Sequence, residues 1–322
     1  MPFLLLGAYL VHGREKHYPV PKYLSFVPNT SMKPWVVNLV FRGDPYVFDE
    51  NGLYATILDL NRQGKLKIEG DGASIRILDA DSGDRYERLV LEYLSDLSEG
   101  GVVDLKSVQG KVEKMSSPGG YSSLSALKGK WAVVSRSPNN SVAKRYVASG
   151  RKRLVLLLTV PLAALLASAV GALAFEWASA QFLSAAGFSF LALMQVVVAL
   201  AFPSSLFGRW KGEFYRAKLE WDAFRNFLVD LVVMKKYAPQ DLSIWGEWLV
   251  YGTALGVGDK VVQAMKELKV NLPEVYYLPG IRSVFRPVVY ASIPQQGSRG
   301  SGGFGGGFGG GGGFGGGGAG AR

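Results

Sequence analysis

Two long apolar runs dominate the pattern of hydrophobic and polar positions along the chain. Residues 154–175 and 182–202 contain no charged side chain, and each run is long enough to cross a hydrocarbon core of ~30 Å as a helix. A helix is required there because lipid offers no partner to backbone N–H and C=O groups. Since only residues 176–181 separate the runs, the pattern predicts an antiparallel transmembrane helical hairpin within 151–211. A buried core helix is the alternative interpretation of either run.

The residues that flank the two runs predict their orientation. The basic residues at the flanks are Arg151, Lys152, Arg153, Arg209 and Lys211. The link 176–181 contains no basic residue, so the positive-inside rule predicts a multi-pass protein of the cell membrane with both flanks in the cytoplasm. We expect the basic flanks to attract anionic membrane lipids. We also expect Trp177 and Trp210 to lie at opposite membrane interfaces, where amphipathic rings accumulate.

Small and polar residues within the two runs predict how the helices pack. The predicted packing residues are Ala163, Ala167, Ser168 and Gly171 of the first run and Ala185, Ser189 and Gln195 of the second. Small side chains four residues apart allow helix backbones to approach closely. We expect Gln195 to donate a hydrogen bond toward the region of Pro161, whose ring frees a backbone carbonyl. A transport role for Gln195 is less favoured, because neither run has an ionisable residue.

The N-terminal residues 1–17 include a shorter apolar stretch, Phe3 to Val11. A signal peptide is not expected, because the stretch lacks a basic n-region and a small-residue cleavage site. Two interpretations are open. The stretch is either the second half of a transmembrane helix that starts upstream of Met1, or a short anchor that lies in the membrane interface.

The residues between this stretch and the first run predict a connector and an α/β module. Residues 18–48 contain five prolines, which favour an extended connector. Within 49–150, apolar spacing predicts helices over 51–63 and 86–97. Short alternating segments around Gly70-Asp71-Gly72 predict a β-hairpin between these helices. This order suggests a winged-helix-like module in the cytoplasm. Both DNA binding and protein binding are open to such a module, and we favour protein binding because the first helix has few basic residues.

The chain after the second run divides into two regions. Residues 212–292 predict a mainly helical cytoplasmic region. Its aromatic residues Trp221, Trp245 and Trp248 are typical of a core. Residues 293–322 are rich in glycine and phenylalanine, cannot bury a core, and are predicted to be disordered.

Composition limits the chemistry that the chain can perform. The net charge is +10, but the basic residues are spread over both halves rather than concentrated in one stripe, so nucleic acid is not an expected partner. Cysteine is absent, and the two histidines, His12 and His17, have no acidic cluster nearby. We therefore expect no metal, no cofactor and no identifiable small-molecule substrate. No nucleophile–base pair indicates an enzyme.

Several stretches together resemble a known family. They are KPWVVNLVFRGDP (33–45), GLYATILDLNRQGKLKIEG (52–70), EWDAFRNFLVDL (220–231) and WGEWLVYGTALGVGDKV (245–261). With the basic-flanked runs and the glycine-phenylalanine tail, they resemble the YciQ-like group of predicted membrane proteins, also called domain of unknown function 2207. The stretch VPKYLSFVPN (20–29) resembles archaeal members.

The resemblance implies an organisation rather than an activity. Members typically begin with a signal peptide, an extracytoplasmic β-rich domain and a first transmembrane helix. The stretch Phe3 to Val11 resembles the end of that first helix. The chain would then be the C-terminal part of a longer protein. The family has no established activity, so the resemblance assigns no site residue. We expect a membrane-anchored scaffold or signalling component that binds a protein partner or itself. The alternative is an accessory or oligomeric subunit of a transporter or channel.

Overall fold

The computed structural model consists of helices, two small antiparallel sheets and an apolar helical hairpin. It describes residues 1–136, 138, 140–236, 241–270 and 273–291. The tail predicted to be disordered, 293–322, lies outside the described residues.

The helices and strands are numbered in chain order. The helices are α1 Pro2–Ala8, α2 Pro34–Phe41, α3 Glu50–Arg62, α4 Arg85–Leu97, α5 Leu105–Met115, α6 Tyr121–Arg136, α7 Ala143–Tyr146, α8 Arg151–Ala174, α9 Ser179–Leu200, α10 Phe214–Val229, α11 Leu231–Lys236, α12 Leu242–Ala254, α13 Gly258–Glu267 and α14 Glu274–Tyr290. The strands are β1 Leu66–Glu69, β2 Ser74–Ile77, β3 Val102–Asp104, β4 Val147–Ala148 and β5 Arg209–Trp210. A π-helical turn, Tyr9–Gly13, continues α1, and a 3-10 turn, Glu176–Ala178, joins α8 to α9.

The predicted β-hairpin is present as β1 and β2. The strands pair antiparallel with Ile68 opposite Ile75, and β3 adds to β2 with Val103 opposite Ile75. All three side chains are buried on one face of the sheet. Asp71 has a positive φ of 54° at the turn, between two glycines that also have positive φ. Glycine tolerates this backbone conformation at no steric cost, so the turn follows directly from the sequence.

The connector predicted for 18–48 contains a buried helix, so the prediction of an extended segment is wrong for α2. All eight residues of α2 are buried. Pro34 occupies the start of the helix, where the missing N–H has no intrahelical partner to lose. This proline therefore begins a helix rather than an extended segment. A further helix that the pattern did not predict, α6, buries Leu124 and Trp131 seven residues apart on one face.

The α/β module predicted for 49–150 and the helical region predicted for 212–292 are not separate. Both contribute to one hydrophobic core. The ring of Phe285 in α14 lies 6.1 Å from that of Tyr93 in α4 and 5.5 Å from that of Trp131 in α6, measured between ring centroids. The hairpin α8–α9 is therefore an insertion between two parts of one folded domain.

Candidate functional site at the base of the hairpin

The two apolar helices α8 and α9 pack along each other and leave most of their surface exposed. Each is long and apolar enough to cross a membrane. In the most apolar 18-residue stretch of each helix, only 22% is buried for α8 and 11% for α9. A core helix of a soluble protein would be mostly buried, so that alternative interpretation is not supported. The structure thus contains two candidate spans, and the short link separates them in the chain.

Buried residues seven positions apart form the contact face of α8. Pro161 and Ser168 are buried there, and so is Gly171 one turn further on. A Cβ atom built on Gly171 would lie 2.5 Å from the ring of Phe182, so the absence of a side chain allows the helices to touch. On α9, Val196 is buried. A seven-residue spacing is typical of helices that wrap around each other with side chains interlocked.

The structure places the remaining predicted packing residues elsewhere. Ala163, Ala167 and Ala185 are exposed, and Ser189 is half-buried. The contact face follows a spacing of seven, so the alanines four residues apart turn away from the partner helix.

The predicted interaction of Gln195 is wrong. Its side chain is exposed and borders an apolar groove beside Pro2 and Leu5 of α1. Val196, the next residue, is buried. Successive residues of a helix point about 100° apart, because 3.6 residues make one turn. Gln195 therefore faces the N-terminal segment or the surroundings of the hairpin rather than Pro161.

The N-terminal apolar segment lies against the base of the hairpin. Leu5 and Tyr9 pack against a small cluster formed by Leu154, Ala199 and Phe207. This contact is compatible with both interpretations of the segment, which stay predictions.

Glu15, which follows the N-terminal helical segment, binds strand β5 after the hairpin. The backbone N–H of Trp210 donates to the Glu15 carboxylate at 2.8 Å. Burial raises the pKa of Glu15, although this hydrogen bond and the charge of Arg209 act in the opposite direction. Arg209 in turn donates to the carbonyl oxygen of Val11 at 2.9 Å.

Two chain segments meet where the hairpin joins the folded domain, and we call residues 147–151 and 204–210 the neck. Strands β4 and β5 pair there, with Val147 opposite Trp210. A Cβ atom on Gly150 would collide with the backbone of Phe207, and one on Gly208 would collide with the carbonyl oxygen of Ala148. Glycine is therefore required at both positions for the two segments to lie this close.

The loop after the buried helix α2 holds the neck from one side. The carboxylate of Asp44 accepts the backbone N–H of Ser204 at 2.6 Å and pairs with the guanidinium of Arg151 at 2.5 Å. The hydroxyl of Tyr46 donates to the carbonyl oxygen of Val147 at 2.5 Å. Burial raises the pKa of Tyr46, as does the nearby Asp44 carboxylate. The phenol thus keeps its proton and stays a donor, so one loop holds both the entry and the exit of the hairpin.

The two tryptophans predicted at membrane interfaces have different environments. Trp177 is 85% exposed at the tip of the hairpin, as an interfacial ring would be. Trp210 is 5% exposed and stacks on Phe41 with ring centroids 5.7 Å apart, so the prediction of an interfacial position is wrong for this residue. In strand β5 adjacent side chains point to opposite faces, and Arg209 takes the exposed side.

The basic residues predicted at the flanks all lie at the base of the hairpin. Lys152 is exposed, and Arg153 donates to the carbonyl oxygen of Phe207 at 3.4 Å. The ammonium group of Lys211 donates to the carbonyl oxygen of Lys144 at 2.6 Å. These residues give the base of the hairpin a positive charge.

Sequence reasoning missed Asp44, Tyr46 and the two neck glycines. The available signal was the Arg-Gly-Asp-Pro sequence at 42–45, which directly follows the apolar run that forms α2. No group of three or more histidine, aspartate or glutamate side chains that could hold a metal ion occurs among the residues that the structure describes.

An apolar hairpin inserted into a folded helical domain, with basic residues around its base, defines a predicted membrane protein with two candidate spans. The comparison with family models gives the family. The chain belongs to the family of predicted membrane proteins DUF2207, whose C-terminal domain model matches residues 20–265, more than half of the chain. No curated protein matches, and no solved structure matches.

Proposed function

We propose that α8 and α9 cross the cell membrane as a hairpin, with the link at Glu176–Gln181 outside and the folded domain in the cytoplasm. Two observations support this topology. The basic residues gather at the base of the hairpin, whereas the link has none. The exposed ring of Trp177 lies at the tip, and the 24-residue helix α8, which is ~36 Å long and begins at Arg151, separates this ring from the base.

We infer that the protein is a non-catalytic membrane-anchored scaffold or signalling component whose cytoplasmic domain binds a protein partner. One observation carries the inference, namely the outer face of α14. Its exposed residues are Tyr276, Pro279, Arg286, Val289 and Tyr290. Tyrosine and arginine are the residue types that most often carry binding energy in protein interfaces.

A cavity of about 460 Å³ adjoins this face and offers a place for a partner's side chain. It is lined by Glu50, Asp259, Arg282 and Tyr290 among others. The guanidinium of Arg282 pairs with Asp259 at 2.7 Å and lies over the ring of Tyr54 at 5.7 Å, so the floor of the cavity is held in place by the domain. A preformed site of this kind lowers the entropy cost of binding.

The neck would determine the position of a partner bound at α14 relative to the membrane. Asp44 connects the domain to both ends of the hairpin, so a partner held at α14 would be held at a fixed position relative to the membrane. We further propose that the α3–β1–β2–α4 segment is winged-helix-like and serves protein binding, and that the chain is a YciQ-like member of archaeal type. Helix α3 of this segment has Arg62 as its single basic residue, which favours a protein partner over DNA.

Site-specific photo-cross-linking in native membranes tests the partner surface. A photoreactive phenylalanine analogue at Tyr290 is expected to cross-link one soluble protein, and the double variant Arg286→Glu/Tyr290→Ser is expected to lose that protein on purification in mild detergent. The matched control is the same analogue at Glu92, which is exposed on α4. Equal products from both positions, or none from Tyr290, would contradict the proposal.

An accessory or oligomeric subunit of a transporter or channel is the second candidate function. Ala163 and Ala167 are exposed on the side of α8 that faces away from α9, and Gln195 exposes an amide on α9. Small residues and amides on the outside of a span favour contact with another span. If this candidate function is correct, oxidation of an Ala167→Cys variant in membranes yields cross-linked dimers, and the purified protein gives ion flux in liposomes. The scaffold proposal predicts monomers after oxidation.

A further inference from the structure

A cavity of about 370 Å³ opens beside the neck, at the start of the first candidate span. Its polar lining includes Tyr46, Lys144, Ser149, Arg151, Lys152 and Lys211. The volume falls in the range of pockets that hold small ligands. The cavity lies between the loop that follows α2 and the two strands β4 and β5, so its walls are held by the same contacts that hold the neck.

The charges around this cavity are poorly balanced. Four cationic side chains line it, and the Asp44 carboxylate pairs with Arg151 alone. Within the part of the chain that the structure describes, no carboxylate lies within ion-pair distance of Lys144 or Lys152. Lys211 donates to a neutral carbonyl group. A cleft lined by one sign of charge raises the local concentration of ions of the opposite sign, so this cavity favours an anion.

The start of α8 adds a second attraction for negative charge. Arg151 and Lys152 are the first two residues of this 24-residue helix, and its N-cap is Gly150. The N–H of Arg151 donates to the Ser149 hydroxyl at 3.3 Å and that of Arg153 to the carbonyl oxygen of Gly150 at 3.0 Å, so the attraction of this start for a phosphate group comes mainly from the positive end of the helix dipole. Ser149 adds a hydroxyl at the same place. The helix terminus and the lysines therefore line the same cavity.

We propose that this cavity binds a phosphate group, held by Lys144, Lys152, Lys211 and the first turn of α8. Two sources offer that chemistry, namely the headgroup of an anionic phospholipid and a soluble phosphate compound. The lipid source rests on the membrane topology proposed above, which places the cavity at headgroup depth. The phosphate site itself rests only on the folded neck.

Binding to lipid and to phosphate is measured on the full chain with matched charge variants. The test variant is Lys144→Ala/Lys152→Ala. The control is Lys106→Ala/Lys114→Ala, which removes the same charge from exposed positions on α5. Each protein is placed in nanodiscs of phosphatidylcholine with or without phosphatidylglycerol, and bound lipid is counted by native mass spectrometry. Inorganic phosphate and pyrophosphate are titrated separately while the thermal midpoint is followed in detergent.

The unmodified chain and the control are expected to retain a phosphatidylglycerol molecule, and the test variant is expected to lose at least tenfold in affinity. A shift of the midpoint by millimolar phosphate in the unmodified chain, absent in the test variant, assigns a soluble phosphate source. Equal retention and equal midpoints in test variant and control would overturn the proposal. A wrong topology would show separately, because cysteine labelling of the link does not depend on these lysines.

Discussion

The indole ring of Trp210 lies stacked on the phenyl ring of Phe41, with the ring planes 14° apart. Phe41 ends the buried helix α2, and Trp210 is the last residue of the strand that leaves the hairpin. The hairpin is thus connected to the core of the folded domain by an aromatic contact between residues far apart in sequence. This contact explains why an insertion of two long apolar helices leaves one continuous core.

Replacement of Trp210 is expected to destabilise the folded domain strongly. A Trp210→Ala variant loses the stack on Phe41 and leaves a cavity, which costs about 3–5 kcal/mol of unfolding free energy. The matched control is Trp177→Ala at the exposed hairpin tip, with an expected change within about 0.5 kcal/mol. Thermal unfolding in detergent measures both, and equal effects would contradict the burial of Trp210.

The Asp44→Asn variant is expected to loosen the neck. It removes the charge that pairs with Arg151 and weakens the bond to the backbone N–H of Ser204, at a cost of about 1–3 kcal/mol. Hydrogen exchange is then expected to rise in residues 147–151 and 204–210. The control is Asp71→Asn, an exposed turn position whose positive φ suits asparagine. Unchanged protection of the neck in Asp44→Asn would show that this carboxylate does not hold the hairpin.

Acid sensitivity is expected to depend on Glu87. Burial would raise its pKa, but hydrogen bonds from Lys33, Ser82 and Gln63 outweigh burial and lower it. The ammonium group of Lys33 is 2.6 Å away, and the Glu87 side chain is 2% exposed. Because the pKa is lower in the folded than in the unfolded chain, this carboxylate stabilises the fold above the ordinary glutamate pKa. That stabilisation is lost as the pH falls through the lower folded pKa.

A Glu87→Gln variant is therefore expected to be less stable at pH 7 and to show a flatter decline of stability between about pH 5 and pH 3. Thermal midpoints across this range give the two slopes. The control Glu92→Gln lies on the exposed side of the same helix and is expected to follow the unmodified chain. Parallel curves for all three proteins would show that Glu87 makes no such contribution.

The hairpin contact is expected to be sensitive to size at Gly171 and insensitive at Ala167. A Gly171→Ile side chain would overlap the ring of Phe182, at a cost of about 1–3 kcal/mol. Ala167→Ile adds a similar volume on the exposed side of α8. Resistance of the hairpin to proteolysis in detergent compares the two variants. A larger loss in Ala167→Ile than in Gly171→Ile would contradict the observed packing face.

The features that could be predicted from the sequence are those that local spacing determines. Run length gives α8 and α9, apolar spacing gives α3 and α4, and a glycine-flanked turn gives the β1–β2 hairpin. Within the helical region predicted for 212–292, α10 and α11 are divided at Asp230, whose carboxylate accepts the N–H of Val233 and the hydroxyl of Tyr23. One of these two contacts joins residues 207 positions apart, which local spacing does not contain.

The candidate site was harder to predict for the same reason. Run boundaries place the basic residues at the base of the hairpin. The spacing of small residues by four selects Gly171 correctly, but it also selects Ala163 and Ala167, which are exposed. The opposite orientations of Gln195 and Val196 depend on which of several apolar faces meets the partner helix. The position of Asp44 depends on α2 being buried beside the neck. Both result from tertiary packing between segments separated by the hairpin or by most of the domain.

Labelling of single cysteines introduced into the chain, which has no cysteine of its own, tests the central claim most directly. Single variants Glu176→Cys in the link and Glu92→Cys in the domain are treated with a membrane-impermeant maleimide in right-side-out vesicles. The proposed topology predicts labelling of Glu176→Cys in intact vesicles and of Glu92→Cys only after permeabilisation. Labelling of both positions from the same side would contradict a hairpin that crosses the membrane.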